Sequence, residues 1–212
     1  MSHKLFLLAG LILGPFATLA LANTVPEINL NFRVLLNGEP IGQHRFELRR
    51  DGDAREVISQ ADFKVRFLFV DVYRYRHMAT ERWNGHCLES LDARTVVNGD
   101  TETVDARRSR DGLVVKATRS QGVYEGCVRS FAYWHPKILD SSRLLNSQTG
   151  EHLAVRVLPL DEERIQVNGK YEPTRRYRLT GKDIDLWYTR DKQWVALESR
   201  VEDGQRLRYE RN

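Results

Sequence analysis

The stretch "INLNFRVLLNGEPIGQHRFEL", residues 28–48, decides the fold. Ile28, Leu30, Phe32, Val34 and Leu36 recur at every second position, which in an extended chain puts them on one face. Asn37-Gly38 supplies the left-handed backbone of a tight turn, and His44, Phe46 and Leu48 alternate on the returning limb before Asp51-Gly52. An amphipathic helix would repeat its apolar residues every three to four positions instead. The stretch therefore predicts a β-hairpin with one apolar face.

The same pattern extends to the other end of the chain. "DIDLWYT" (183–189), "WVALESRV" (194–201) and "RLRYE" (206–210) are separated by Asp191-Lys192 and Asp203-Gly204 and predict a three-stranded meander. In its middle strand Val195, Leu197 and Val201 share one face, opposite Trp194, Glu198 and Arg200. Turn signals at Asn84-Gly85, Asn98-Gly99, Asp111-Gly112, Asn168-Gly169 and Gly181 divide the middle of the chain. The longest strand-like run, Phe63 to Trp83, must bend or contain a bulge, and Asp71 interrupts its aromatic face. One stretch departs from period two: "PKILDSSRLLN", 136–146, spaces Ile138, Leu139, Ser142 and Leu145 as a helix does, with Pro136 at its first position. The expected fold is mostly β, with one antiparallel, strongly curved sheet or open barrel of about ten strands and one short helix packed against it.

Residues 1–22 have the layout of an export signal: Lys4, an apolar run from Leu5 to Leu21, and Ala20-Leu21-Ala22 before Asn23. The run is broken by Gly10, Gly14 and Pro15, so cleavage is expected rather than a retained transmembrane helix, and no cysteine stands there to carry a lipid. The expected organisation is a cleaved signal peptide at 1–22 and a single β-rich domain at 23–212, located in the periplasm. The formal charge of +4 is too mild to demand an acidic partner, and export removes the chain from intracellular nucleic acid, so no nucleic-acid partner is expected. Seven of the 33 basic residues are lysine and the rest arginine, whose planar fork suits carboxylate or phosphate head groups.

Cys87 and Cys127 would meet an oxidising compartment, and a disulfide between them is the first expectation. A loop of that length would be worth roughly 4 kcal/mol in the chain-entropy model. The alternative is a reactive thiol with His86 beside Cys87, although sequence neighbours point to opposite faces of a strand.

The catalytic search is thin. His44, His77, His86, His135 and His152 show no metal-binding spacing, so neither a metal nor another cofactor is expected. Ser130, Ser141 and Ser142 lack the glycine-flanked turn that exposes a nucleophile, and no phosphate-cradling glycine loop is present. No catalytic residues are therefore assigned. A hydrolase acting on an envelope component would have to be built around Asp71, His77 or His135.

"SFAYWHP", 130–136, packs three aromatics, a histidine and a proline into seven residues. Read as a strand it is bulky on both faces, as in a sheet covered by something, with the following helix as the nearest cover. Core packing is one reading. The other is a pocket for an apolar or lipid-like ligand, with Tyr73, Tyr75, Tyr133, Trp134 and His135 as its candidate binding residues.

The strings "YRYRH", "ERWNGHCLESLDA", "YEGCVRSFAYWHP", "LLNSQTGE", "RRYRLTG" and "DLWYT" together resemble an uncharacterised family of exported bacterial proteins, a domain of unknown function. The resemblance covers essentially the whole mature chain. It implies an envelope location and a β-rich single domain, and it brings no activity, cofactor or catalytic residue. An exported curved sheet with a helix against it is also similar, at the level of fold, to periplasmic carriers of lipids and lipoproteins. The leading expectation is non-catalytic binding of an apolar or lipid-like ligand in the envelope. An envelope structural or assembly factor that binds another protein through a strand edge or aromatic surface is the alternative.

Overall fold

The computed structural model describes residues 28–67, 70–201 and 204–212, with the side chains of residues 51, 67, 70 and 71 excepted. The expected signal peptide and Asp71's side chain lie outside what is described. In chain order the strands are β1 (Ile28–Leu36), β2 (Glu39–Asp51), β3 (Ala54–Phe67), β4 (Val70–Asn84), β5 (Cys87–Val97), β6 (Asp100–Arg108), β7 (Leu113–Ala117) and β8 (Gln121–Tyr124). A 3-10 helix (Pro136–Asp140) and the short strands β9 (Arg143–Leu145) and β10 (His152–Ala154) follow. The chain finishes with β11 (Arg156–Val167), β12 (Lys170–Thr180), β13 (Ile184–Thr189), β14 (Trp194–Arg200) and β15 (Arg206–Arg211).

Thirteen strands form one antiparallel sheet in the order β11-β12-β13-β14-β15-β1-β2-β3-β4-β5-β6-β7-β8. The first and last described strands meet in the middle of this sheet, where β1 pairs with β15 from Phe32↔Arg211 to Leu36↔Leu207. The opening hairpin forms as its sequence dictates: Asn37 and Gly38 take φ values of 50° and 90°, and Leu30, Phe32 and Val34 are buried. A bulge beside Val34 and Leu35 makes Ile41 of β2 the extra residue, while the register with β15 runs on unbroken and sets Leu35 opposite Arg208 and Leu36 opposite Leu207. Beside it Gly42 is fixed by space, since a Cβ there would lie 2.0 Å from the Asp62 carbonyl oxygen.

Several expectations are corrected. The sheet has thirteen strands rather than about ten, and it is neither closed nor strongly curled as expected, with β8 and β11 remaining as edges. It does bend: the rings of Phe63 on β3 and Tyr209 on β15, three strand steps apart, approach to 6.1 Å on the inner face. The run from Phe63 to Trp83 is a hairpin rather than one strand, with the Phe63 and Tyr75 rings stacked across it at 5.0 Å. A register shift at Val65/Arg66 lets residues of equal parity face each other, so the alternation passes through the turn unbroken. The expected helix over 136–146 stops at Asp140, and its second half is the strand β9, paired with β10.

"SFAYWHP" is not a strand either. Only Ser130 makes a bridge, to Leu145, and the residues after it bend and turn. The segment from Val128 to Leu145 lies on the inner face of the sheet and buries Val128, Ala132, Trp134, Ile138, Leu144 and Leu145. It spans the bend. The Tyr133 carbonyl accepts from Tyr188 on β13 at 2.6 Å, and Ser130 Oγ donates to Glu81 on β4 at 2.7 Å, six strand steps away. Bulky residues on both sides of this segment thus reflect a plug surrounded by the sheet rather than a covered strand.

In the closing meander, a bulge at Trp187/Tyr188 makes Val195 an extra residue and moves Trp194 to the inner face, where its ring lies 4.0 Å from that of Phe32. Trp194 and Leu197 therefore share the main core, while Val195 and Ala196 join Trp187 and Val167 in a small outer cluster. Arg176 and Arg208 cover Trp187 at 5.1 and 4.5 Å.

Cys87 and Cys127 are joined by a disulfide with Cα atoms 5.0 Å apart, which removes the reactive-thiol alternative. One residue further on, Leu88 N–H donates to the Val128 carbonyl at 2.9 Å. The start of the plug is thereby fixed to β5.

Candidate ligand cavity

Between β2–β4, β13–β15 and the plug lies a cavity of about 290 Å³. The inner register of β4 supplies Tyr75, His77, Ala79 and Glu81, the plug supplies Phe131 to Trp134, and β15 supplies Leu207 and Tyr209. A larger depression of about 1050 Å³ lies on the outer face of β2–β7, among exposed side chains such as Arg76 and Met78. It is an open trough whose charges are partly paired, as in Arg76 with Asp62 at 3.3 Å. The inner cavity is the better candidate because it combines enclosure, apolar wall and a few placed polar groups.

Of the five candidate binding residues, Tyr75, Tyr133 and Trp134 line this cavity. Tyr73 packs against the same core without lining it. His135 lies elsewhere, beside His86, in a depression of about 330 Å³ shared with Arg55 and Gly85. The His135 and His86 rings approach at 3.2 Å between nitrogens. Burial pushes His135 down to about 4, helped by the charges of His86, Arg55 and Arg129, against a hydrogen bond with Gly85. Trp134 links the two regions, with Trp83 edge-on at 5.4 Å and the Arg55 guanidinium 5.6 Å from its ring.

The polar groups of the cavity wall were not found by motif. His44 Nε2 lies 2.7 Å from Ser59 Oγ, and its Nδ1 faces the Tyr209 hydroxyl at 3.4 Å. His77 Nδ1 contacts Thr95 Oγ1 at 2.8 Å. Glu81 accepts from Ser130 at one oxygen and from Trp83 Nε1, at 2.9 Å, at the other. The signal that reveals them is a polar residue in an apolar register, as His44 stands in the row of Phe46 and Leu48.

Burial dominates the electrostatics. It holds His44 at about 3, helped by the His77 charge, and His77 at about 4, so both rings are neutral at pH 7. Burial raises the Glu81 carboxyl against the opposing hydrogen bonds from Ser130 and Trp83. The phenols of Tyr75, Tyr133 and Tyr209 are raised as well, again mainly by burial. Among the described residues no group of three or more histidine, cysteine or acidic side chains is placed to hold a metal ion. Ser59 with His44 has the spacing of a nucleophile and its base, but a phenol stands where an orienting carboxylate would.

An open, bent antiparallel sheet plugged by its own crossing segment, with a cavity beneath the plug, defines a barrel-like β protein. The chain belongs to the family described as a domain of unknown function, DUF6134, whose model matches residues 32–212. Among solved structures it is similar to the beta-barrel-like protein of domain of unknown function DUF1849 from Brucella abortus. The TM-score is 0.59 at 10% identity, covering 87% of this chain and 94% of that one, a likeness of fold. No curated protein matches the chain.

Proposed function

We propose that the protein is an exported, periplasmic binding protein that holds a small apolar or amphipathic ligand in the inner cavity without transforming it. The observation that carries this reading is the cavity of about 290 Å³ beneath the plug, where Tyr75, Tyr133 and Trp134 form part of an aromatic wall. The export-signal pattern of residues 1–22 supports the location, and the arginine-rich surface suits anionic envelope head groups. A lipid-like ligand enters only through a part of comparable size, such as one acyl chain. Native mass spectrometry of protein purified from the periplasm tests the reading. A stoichiometric small-molecule adduct, lost when the cavity is filled by Ala79→Phe, supports it, and uniformly empty protein counts against it.

Two other readings have an observation each. The free edges β8 and β11 favour an assembly factor that pairs with another envelope protein, and crosslinking in intact cells would then yield one specific protein adduct. The contact of Ser59 with His44 favours a hydrolase, which requires a serine-reactive phosphonate to label Ser59.

A further inference from the structure

The cavity also indicates what kind of ligand it takes. At about 30 Å³ per water-sized group, 290 Å³ holds on the order of ten non-hydrogen atoms. A two-chain lipid is far too large. The buried polar groups of the wall are already paired with one another: His44 with Ser59, His77 with Thr95, and both Glu81 oxygens with Ser130 and Trp83. None of them requires a polar atom from a ligand.

Among the described residues, the lining side chains without a hydrogen-bond or ion-pair partner include Ser147, Gln148 and Ser199, two phenols and one charged group, a lysine. The phenols of Tyr75 and Tyr133 make no hydrogen bond among the described residues, and neither oxygen is sealed away from open space. The two phenols lie near enough for charge on Tyr133 to raise Tyr75. Lys182, half-buried in the turn before β13, is the only lysine or arginine on the lining, and it makes no ion pair among the described residues. All three can donate hydrogen bonds, and Lys182 adds a positive charge. Apolar side chains on the lining include Phe46 on β2, Leu197 on β14 and Leu207 on β15.

Building on the binding function proposed above, we infer that the ligand is a small anionic amphipath. Its carboxylate-like head is held by Lys182, Tyr75 and Tyr133, and its apolar body of a few carbons lies against Phe46, Leu197 and Leu207. The histidines and Glu81, each already hydrogen-bonded within the wall, form a floor that the body covers without contributing to affinity for the head.

Isothermal titration of the mature protein with octanoate and with octan-1-ol, matched in length and differing in charge, tests this. Octanoate should bind at least about tenfold more tightly than octanol, a difference typical of a charge-assisted hydrogen bond. Lys182→Gln should abolish that preference, weakening octanoate by about tenfold relative to octanol. Lys182 sits half-buried in a turn and outside the buried core, and Tyr133→Phe, which should likewise reduce the preference, provides a second, shape-conserving test of the head site. Equal affinities for the two probes, or a preference untouched by Lys182→Gln, would overturn the anionic assignment and leave the binding function standing. Failure of both probes to bind would overturn both.

Discussion

The indole Nε1–H of Trp83 donates to a carboxyl oxygen of Glu81 at 2.9 Å, two residues apart on the inner face of β4, with both side chains buried. Burial raises the Glu81 carboxyl, so the folded state holds its proton to higher pH than the unfolded chain does. That stabilisation is present in acid and is lost as pH rises above the ordinary value of 4.5. Glu81→Gln, which keeps the shape and an acceptor for Trp83, should therefore be neutral or stabilising at pH 7. Glu81→Ala leaves Trp83 and Ser130 unpaired and should cost about 1–3 kcal/mol. Urea denaturation of both variants decides this, and equal losses would show that the ionised carboxylate is required.

The histidines work in the opposite direction. His44 and His77 are held neutral at about 3 and about 4, while the unfolded chain protonates near 6.5. Their contribution is complete above pH 6.5 and is lost as pH falls toward 4 and then 3, because the unfolded state binds the extra protons. For the buried His77 alone the loss is on the order of 3 kcal/mol. Denaturation midpoints measured from pH 7.5 to 4 should fall steadily, and His77→Gln should flatten the profile. A profile unchanged by that variant would contradict the burial of a neutral ring.

The disulfide anchors the plug to β5 beside the bond from Leu88 to Val128. Reduction or Cys87→Ala should destabilise the protein by about 2–5 kcal/mol, measured as the shift in denaturation with and without reductant. Thiol titration of unfolded, unreduced protein should find no free thiol. Two per chain would refute the bridge.

Gly42 tests the packing at the hairpin bulge. A methyl group there meets the Asp62 carbonyl oxygen at 2.0 Å, and the neighbouring strand must move to admit it. Gly42→Ala should cost about 2–4 kcal/mol, within the range of core overpacking, whereas Gly38→Ala at the open turn should cost less. Thermal denaturation of the pair ranks them, and equal losses would contradict the close approach.

The terminal hairpin and the closing meander were legible because each has a period-two apolar face and turn residues in register. Local pattern was silent where tertiary contact overrides it. Trp194 changed faces through a one-residue bulge, Phe63 and Tyr75 met across a turn that the alternation hides, and the apolar spacing after Pro136 served a plug rather than a helix. Aromatic density pointed to Tyr75, Tyr133 and Trp134, which lie on the cavity lining, and equally to Tyr73 and His135, which do not. Lys182 carried no signal at all, because its place on the lining depends on a cavity assembled from strands about 100 residues apart in the chain, such as β4 and β13.

The most direct test of the cavity as a ligand site is a methyl NMR titration of the mature protein with octanoate. Saturable shifts should appear at Leu197, Leu207, Ile184 and Leu153, which line the cavity, and not at Val195 in the outer cluster. Shifts absent at the cavity methyls, or confined to Val195 and the exposed Met78, would contradict it.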